Sequence, residues 1–406
     1  MRTEPSMRIL RIFTPVVVAL IALSACGGSR NLDLTIGVVL PETGPLGISK
    51  EPAMAAVRLA EEDIKAAGGE VTFLYADSRV DPATAVIAVD DLLEEGADAI
   101  LGAAASGVSQ AFIQTLYESE TPQCSPSNTS PSFSEQANAA FYFRTVSSDT
   151  AVVPLMSETV LGRGSERIAI LARDDDYGRS LADLLVANLR EQGAEVDLGI
   201  IDPLRSDFDQ EISAVSDFDP DTVVLITFDE GIQILQGLLE SGFDSADIFG
   251  TDGIFIPDLP AAVDGSDPGV LDGMTIFLAG IPRNDDTAAL AERLQSAGVD
   301  YSDSPWAERA YDCAVILALA AQSAGNTEGE PFFAAALEVT NDGTGCLTYA
   351  DCSRRIDRGE NIVYVGKSGP LRLDTVGDPT VGAYAISRFE GGELVEQSTV
   401  TVDLTE

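Results

Sequence analysis

Thr35-Ile36-Gly37-Val38-Val39-Leu40, followed by Pro52 to Ala67 and then by Gly68-Gly69, is the stretch whose reading decides the fold. The first six residues are a continuous apolar run bounded by turn residues, the pattern of a short strand buried on both faces. In the second piece Ala56, Leu59, Ala60 and Ile64 fall on one helical stripe, and the glycine pair stops the helix. A buried strand, a one-faced helix and a glycine stop make one unit of a parallel sheet covered by helices.

Outward from there the unit repeats. Val71 to Ala76 reads as a strand, Asp81-Pro82 opens a helix to Glu95, Ala99 to Gly102 is a strand, and Ser106 to Glu118 is a helix. A second series starts near Asp149, with strands at Arg167 to Ala172, Ala194 to Ile201, Asp221 to Thr227 and Asp247 to Gly250. Between them lie helices at Gly178 to Gln192, Phe208 to Ser216 and Glu230 to Ser241. After Met274 to Ala279 comes a long apolar helix at Ala307 to Ala324, then strand-like runs at Gly382 to Phe389 and Leu394 to Val400. The class is α/β, and each series predicts its own doubly wound sheet. No low-complexity linker separates the two, which predicts lobes joined by several crossings.

Length and charge narrow the function. A chain of 406 residues is too long for one hydrophobic core. With 66 acidic against 24 basic residues, the net charge of −42 argues against nucleic acid or anionic lipid as partners, because both need a basic footprint. There is no histidine, which removes Ser-His-Asp triads and imidazole metal sites. Pro41-Glu42-Thr43-Gly44 after the first strand does not match G-x-G-x-x-G. Acidic pairs such as Asp175-Asp176 read as solvated in so acidic a chain. No catalytic set is assembled, so no enzyme, cofactor or metal is expected.

The N-terminus carries its own signal. Arg8 and Arg11 precede a mostly apolar run from Ile12 to Leu23, too short to span a bilayer, which reads as a secretory signal. Leu23-Ser24-Ala25-Cys26 resembles the bacterial lipobox, whose cysteine is acylated and becomes the new N-terminus. Residues 1–25 are then a lipoprotein signal peptide, 26–33 a lipid-anchored linker, and the rest an extracytoplasmic domain on the outer membrane face. Of five cysteines, four remain once Cys26 is assigned to lipid. Cys346 and Cys352 are expected to pair, adding about 2 kcal/mol through chain entropy. Cys124 and Cys313 are left open between a disulfide and two buried thiols.

From Ile36 to about Val400 the chain resembles the extracytoplasmic substrate-binding proteins of branched-chain amino acid ABC transporters, the leucine/isoleucine/valine-binding type. The resemblance rests on Gly37-Val38-Val39-Leu40-Pro41 with Thr43-Gly44-Pro45, Ala66-Ala67-Gly68-Gly69, Ser125-Pro126-Ser127-Asn128-Thr129-Ser130 and Phe143-Arg144-Thr145. Asp176-Tyr177-Gly178, Asp207-Phe208, Gly250-Thr251-Asp252-Gly253, Ala310-Tyr311-Asp312 and Gly369-Pro370-Leu371 follow in the expected order. It implies the type I periplasmic binding protein fold: two Rossmann-like lobes with parallel-sheet cores joined by three hinge crossings, ligand being caught between them. Lobe 1 would be 34–146 with 279–371, and lobe 2 would be 147–278 with 372–406. The implied function is capture of a small amino acid, branched-chain or otherwise aliphatic, by a monomer that delivers it to ABC permease subunits. Alternatives are a ligand sensor for a membrane receptor, or transport of another small carboxylate or amide.

Ligand in such sheets binds beyond the carboxyl ends of the strands, where helix N-termini favour an anion. Ser106 and Gly107 open a helix there and are candidates for an α-carboxylate; the simpler reading makes Ser106 an N-cap. The resemblance assigns a backbone contact to Ser127 and a hydroxyl contact to Thr129, in a loop whose composition also suits a plain turn. It assigns Asp252 to the α-ammonium, which needs a carboxylate inside a closed cleft, although an ordinary turn aspartate would look the same. Tyr177 matches a ligand-contacting tyrosine, and Phe228 a position that is tyrosine in some relatives. Gly47-Ile48-Ser49-Lys50 lacks the glycine and aromatic residue seen in some relatives, and both departures bear on the ligand more than on the fold.

Overall fold

The computed structural model describes residues 1, 33–256, 258–280, 285–299, 301 and 306–404, without the side chains of 48, 49, 285 and 286. The expected signal peptide, Cys26 and most of the linker lie outside the described residues. The opening stretch forms β1 (Leu34–Leu40), and β2 (Val71–Asp77), β3 (Ala99–Gly102), β4 (Gln123–Ser125) and β5 (Tyr142–Arg144) join it in one all-parallel sheet. Its order is β2-β1-β3-β4-β5. The helices between these strands are α1 (Gly47–Ala66), α2 (Pro82–Glu94), α3 (Ser106–Glu118) and the single turn α4 (Ser132–Glu135). β1 is continuously apolar because Ile36, Val38, Val39 and Leu40 are all fully buried between helical layers.

The second series builds α5 (Asp149–Gly162), β6 (Arg167–Arg173), α6 (Asp176–Glu191), β7 (Glu195–Ile201), α7 (Asp209–Phe218), β8 (Thr222–Ile226), α8 (Gly231–Glu240), β9 (Ile248–Gly250), α9 (Leu259–Val263) and β10 (Thr275–Gly280). Strands β7-β6-β8-β9-β10 are parallel neighbours. The remaining elements are α10 (Asp285–Ser296), α11 (Trp306–Ala324), α12 (Gly329–Glu338), β11 (Thr344–Cys346), α13 (Tyr349–Asp357), β12 (Ile362–Tyr364), β13 (Val381–Glu390) and β14 (Glu393–Asp403). β13 and β14 extend the second sheet as an antiparallel pair beside β10, giving seven strands.

In each sheet the chain reverses its direction of travel at one place, between β1 and β3 in the first and between β6 and β8 in the second. Connections leave to opposite sides there, so a crevice opens at the strand C-termini. α1 and α3 start at the first crevice, and α6 at the second.

Three passages link the sheets and are pinned to one another. The buried α11 packs with α1 on the first sheet, and its Arg309 donates to the carbonyls of Ala279 (3.2 Å) and Gly280 (2.6 Å) at the end of β10. The Arg309 carbonyl accepts from the Thr145 hydroxyl at 3.0 Å, on the way out of β5. Tyr384 of β13 donates to Ser148 O at 3.3 Å. Before β13 the segment around Gly377 runs along the first sheet, its carbonyl accepting from Arg144 N–H at 3.0 Å.

Both remaining cysteine pairs are joined. Cys346 of β11 bonds Cys352 of α13 as expected, and Cys124 of β4 bonds Cys313 of α11, with Cα atoms 5.4 and 5.6 Å apart. No described helix is long and apolar enough to cross a membrane.

Candidate ligand-binding cavity

A cavity lined from both sheets lies where the two crevices face each other. The first sheet contributes Ser106 at the start of α3 and Ser127 from the loop after β4. Ala105 is the N-cap of α3 and makes no side-chain cap bond, so Ser106 is not a capping residue. Its hydroxyl oxygen accepts from Ser130 N–H at 3.5 Å, leaving the O–H to donate elsewhere. Ser127 donates its hydroxyl to Ala104 O at 2.8 Å and turns toward the cavity as an acceptor.

The loop carrying Ser127 is held rigidly. The fully buried Arg144 guanidinium donates to the carbonyls of Asn128 (3.0 Å) and Ser130 (2.8 Å), and makes a two-pronged ion pair with Asp378 (2.6 and 2.9 Å). Such forked pairs fix geometry as well as energy.

The second sheet supplies Tyr177 at the start of α6, Phe228 after β8 and Asp252 after β9. The Tyr177 hydroxyl donates to Asp252 Oδ1 at 2.8 Å and lies 2.8 Å from Thr251 Oγ1. Its ring stacks on Phe228 with centroids 5.4 Å apart, and the Arg173 guanidinium sits 3.6 Å from the Phe228 centroid. Gly253 permits this close fit, since a Cβ there would stand 2.5 Å from Thr227 O and 2.9 Å from the Phe228 ring. Burial pushes the Asp252 carboxyl up, while the Tyr177 hydrogen bond and the Lys50 charge pull it down.

Five of the seven residues expected from sequence therefore line one cavity. Gly107 lies outside it, beside the second sheet's connecting turn; a Cβ there would stand 3.3 Å from Asp175 Cβ. Thr129 is buried behind the wall, where its carbonyl accepts from Asp149 N–H at 2.8 Å. The Asp149 carboxyl is pushed up to about 8, first by burial and then by the charge of Asp252.

Sequence reasoning missed Lys50, Leu46 and Trp306, all of which line the cavity. The chain has three lysines and one tryptophan, a rarity that was the available signal. Lys50 is 4% exposed, and its ammonium rests 3.3 Å from the centroid of the Trp306 ring. Burial lowers its pKa well below the ordinary lysine value, with Asp252 acting in the opposite sense.

A family profile described as periplasmic binding protein matches residues 33–366. A Leu/Ile/Val-binding protein of Rhizobium johnstonii is 24% identical over 394 residues, which is 95% of this chain and 99% of that protein. A Leu/Ile/Val-binding protein homologue of Brucella suis is 25% identical over 387 residues, covering 92% and 95%. Among solved structures, a leucine binding protein from Thermotoga maritima superposes with a TM-score of 0.77 at 20% identity, over 90% of this chain and 98% of that one. A solute binding protein of an ABC transporter from Rhodopseudomonas palustris, in complex with p-hydroxybenzoic acid, gives 0.74 at 17% identity, over 91% and 97%.

Proposed function

Because the chain belongs to the periplasmic binding protein family, we propose that it is an extracytoplasmic solute-binding lipoprotein. It captures a small amino acid, branched-chain or otherwise aliphatic, between its two sheets and delivers it to an ABC permease, anchored by lipid on Cys26. The observation that carries this reading is the polarity of the cavity. Ser106 and Ser127 beside the first turn of α3 stand on one side, and Asp252 with Tyr177 on the other. A helix N-terminus with the Ser106 O–H free to donate suits a carboxylate, and a carboxylate in the cavity wall suits an ammonium. The apolar remainder, Leu46, Phe228 and Trp306, suits an aliphatic side chain.

The residues after Cys26, stripped of ligand by unfolding and refolding, are expected to gain thermal stability with leucine, isoleucine or valine. Ligand at about 100 times its dissociation constant adds about 2.7 kcal/mol, a clear rise in midpoint. Silence across the amino acids would sink the reading. In cells the full chain is expected to sediment with membranes and its Cys26→Ser variant to be released. The three rings around the cavity favour one other ligand class, a small aromatic carboxylate, like that bound by the Rhodopseudomonas protein. A midpoint rise with 4-hydroxybenzoate and none with leucine would select it.

A further inference from the structure

Lys50 is out of place for a structural residue in three ways. It sits in the first turn of α1, the end of a helix that favours anions and disfavours cations. It is almost fully buried, yet among the described residues its ammonium makes no hydrogen bond and no ion pair within 4 Å, only the contact with the Trp306 ring. A lysine ammonium carries three donors, and leaving them unmatched inside a protein is unfavourable. The side chain also lines the same cavity as Ser106, Ser127 and Asp252. Lysine stems ordinarily carry their charge out to water; this one carries it to the ligand cavity.

We infer that Lys50 is the counter-charge for a ligand carboxylate, so that the cavity grips a zwitterion at both ends, the carboxylate by Lys50 with the α3 side and the ammonium by Asp252. The inference rests on the proposed solute-binding function and assigns that site a residue and a charge pattern of its own. Trp306 holds the ammonium in position through its ring face, an attraction that does not consume the N–H donors. A bound carboxylate then supplies the acceptor that the ammonium lacks, and it also lies at the favourable end of α1.

Titration calorimetry of the protein and of Lys50→Met and Asp252→Asn tests this with leucine and two truncated probes. 4-Methylpentanoate lacks the amine, and 3-methylbutylamine lacks the carboxylate. Lys50→Met is expected to weaken leucine and 4-methylpentanoate by about ten-fold or more and to leave 3-methylbutylamine unchanged or tighter. Asp252→Asn is expected to weaken leucine and the amine while sparing the acid. Should Lys50→Met fail to fold, as judged by circular dichroism, Lys50→Gln removes the same charge and keeps donors. Unchanged leucine affinity in the charge-removed variant, or equal weakening of all three probes, overturns the inference. Wild-type protein that binds 4-hydroxybenzoate but not leucine would end the amino acid reading alone. Lys50 would then be judged by whether its loss weakens hydroxybenzoate. Wild-type protein that binds no carboxylate of the set overturns both.

Discussion

Asp149 shows how one residue at a passage between sheets couples folding to pH. It opens α5, and its buried carboxyl faces the charges of Asp252 and Asp176, with Arg144 opposing them. Burial leads these causes and pushes the carboxyl from 3.8 up to about 8. The folded state therefore holds a proton that the unfolded state has released, and stability from this group is complete below the unfolded value. It is lost as pH rises through the folded one, at about 1.4 kcal/mol per pH unit across that window. Glu308, buried beside Arg309 and pushed up to about 7, acts in the same direction. Urea unfolding of wild type and Asp149→Asn at about pH 5 and about pH 8 reads this directly. The amide keeps the shape and does not titrate, so the variant is expected to gain on wild type at the higher pH. An identical gap at both pH values would refute the assignment.

At the scale of elements, the long strands and helices were legible in sequence because each carries its period for several turns or pleats. β6, α6, β7 and β8 lie within a few residues of their expected bounds. β4 and β5 have three residues each and show no period at all; only the family motifs at Ser125 to Ser130 and Phe143 to Thr145 marked them. The start of α1 was misread for a different reason. Pro52 looked like a first helical residue, where its missing N–H costs nothing, but the helix begins at Gly47 after Leu46 turns left-handed, with φ of 63°. Lys50 thus passed for a loop residue, and the feature that sets the cavity's charge was lost with it. The disulfides tie elements at very different range. Cys124–Cys313 spans 189 residues and fastens β4 to α11, whereas Cys346–Cys352 spans 6. On the chain-entropy account these closures add about 5 and about 2 kcal/mol. Replacing both cysteines of the long closure by alanine is expected to cost about 3 kcal/mol more in urea unfolding than doing so for the short one. Equal losses would show that native packing around α11, not chain entropy, dominates.

For the whole molecule the governing fact is a net charge of −42 with the charge outside. Among the described residues Asp149, Glu308 and Asp312 are buried and Asp252 is set into the cavity wall, so most of the other carboxylates repel one another across the surface. Self-repulsion of this kind opposes compaction, and salt weakens it once the screening length falls from about 20 Å at low salt to about 3 Å at 1 M. The thermal midpoint is therefore expected to rise by about 3 °C or more between roughly 0.02 M and 1 M sodium chloride, and to move less in sucrose of matched osmolarity. A flat or falling midpoint would mean that the carboxylates are already neutralised by specific ions. The same field acts on the ligand. A surface so negative slows the approach of a net anion and is indifferent to a zwitterion, whose two charges cancel at a distance. Association of 4-methylpentanoate should quicken as salt is added, while that of leucine should hardly change. A cavity that pairs Lys50 with Asp252 is matched to the one class of carboxylate that this surface does not turn away.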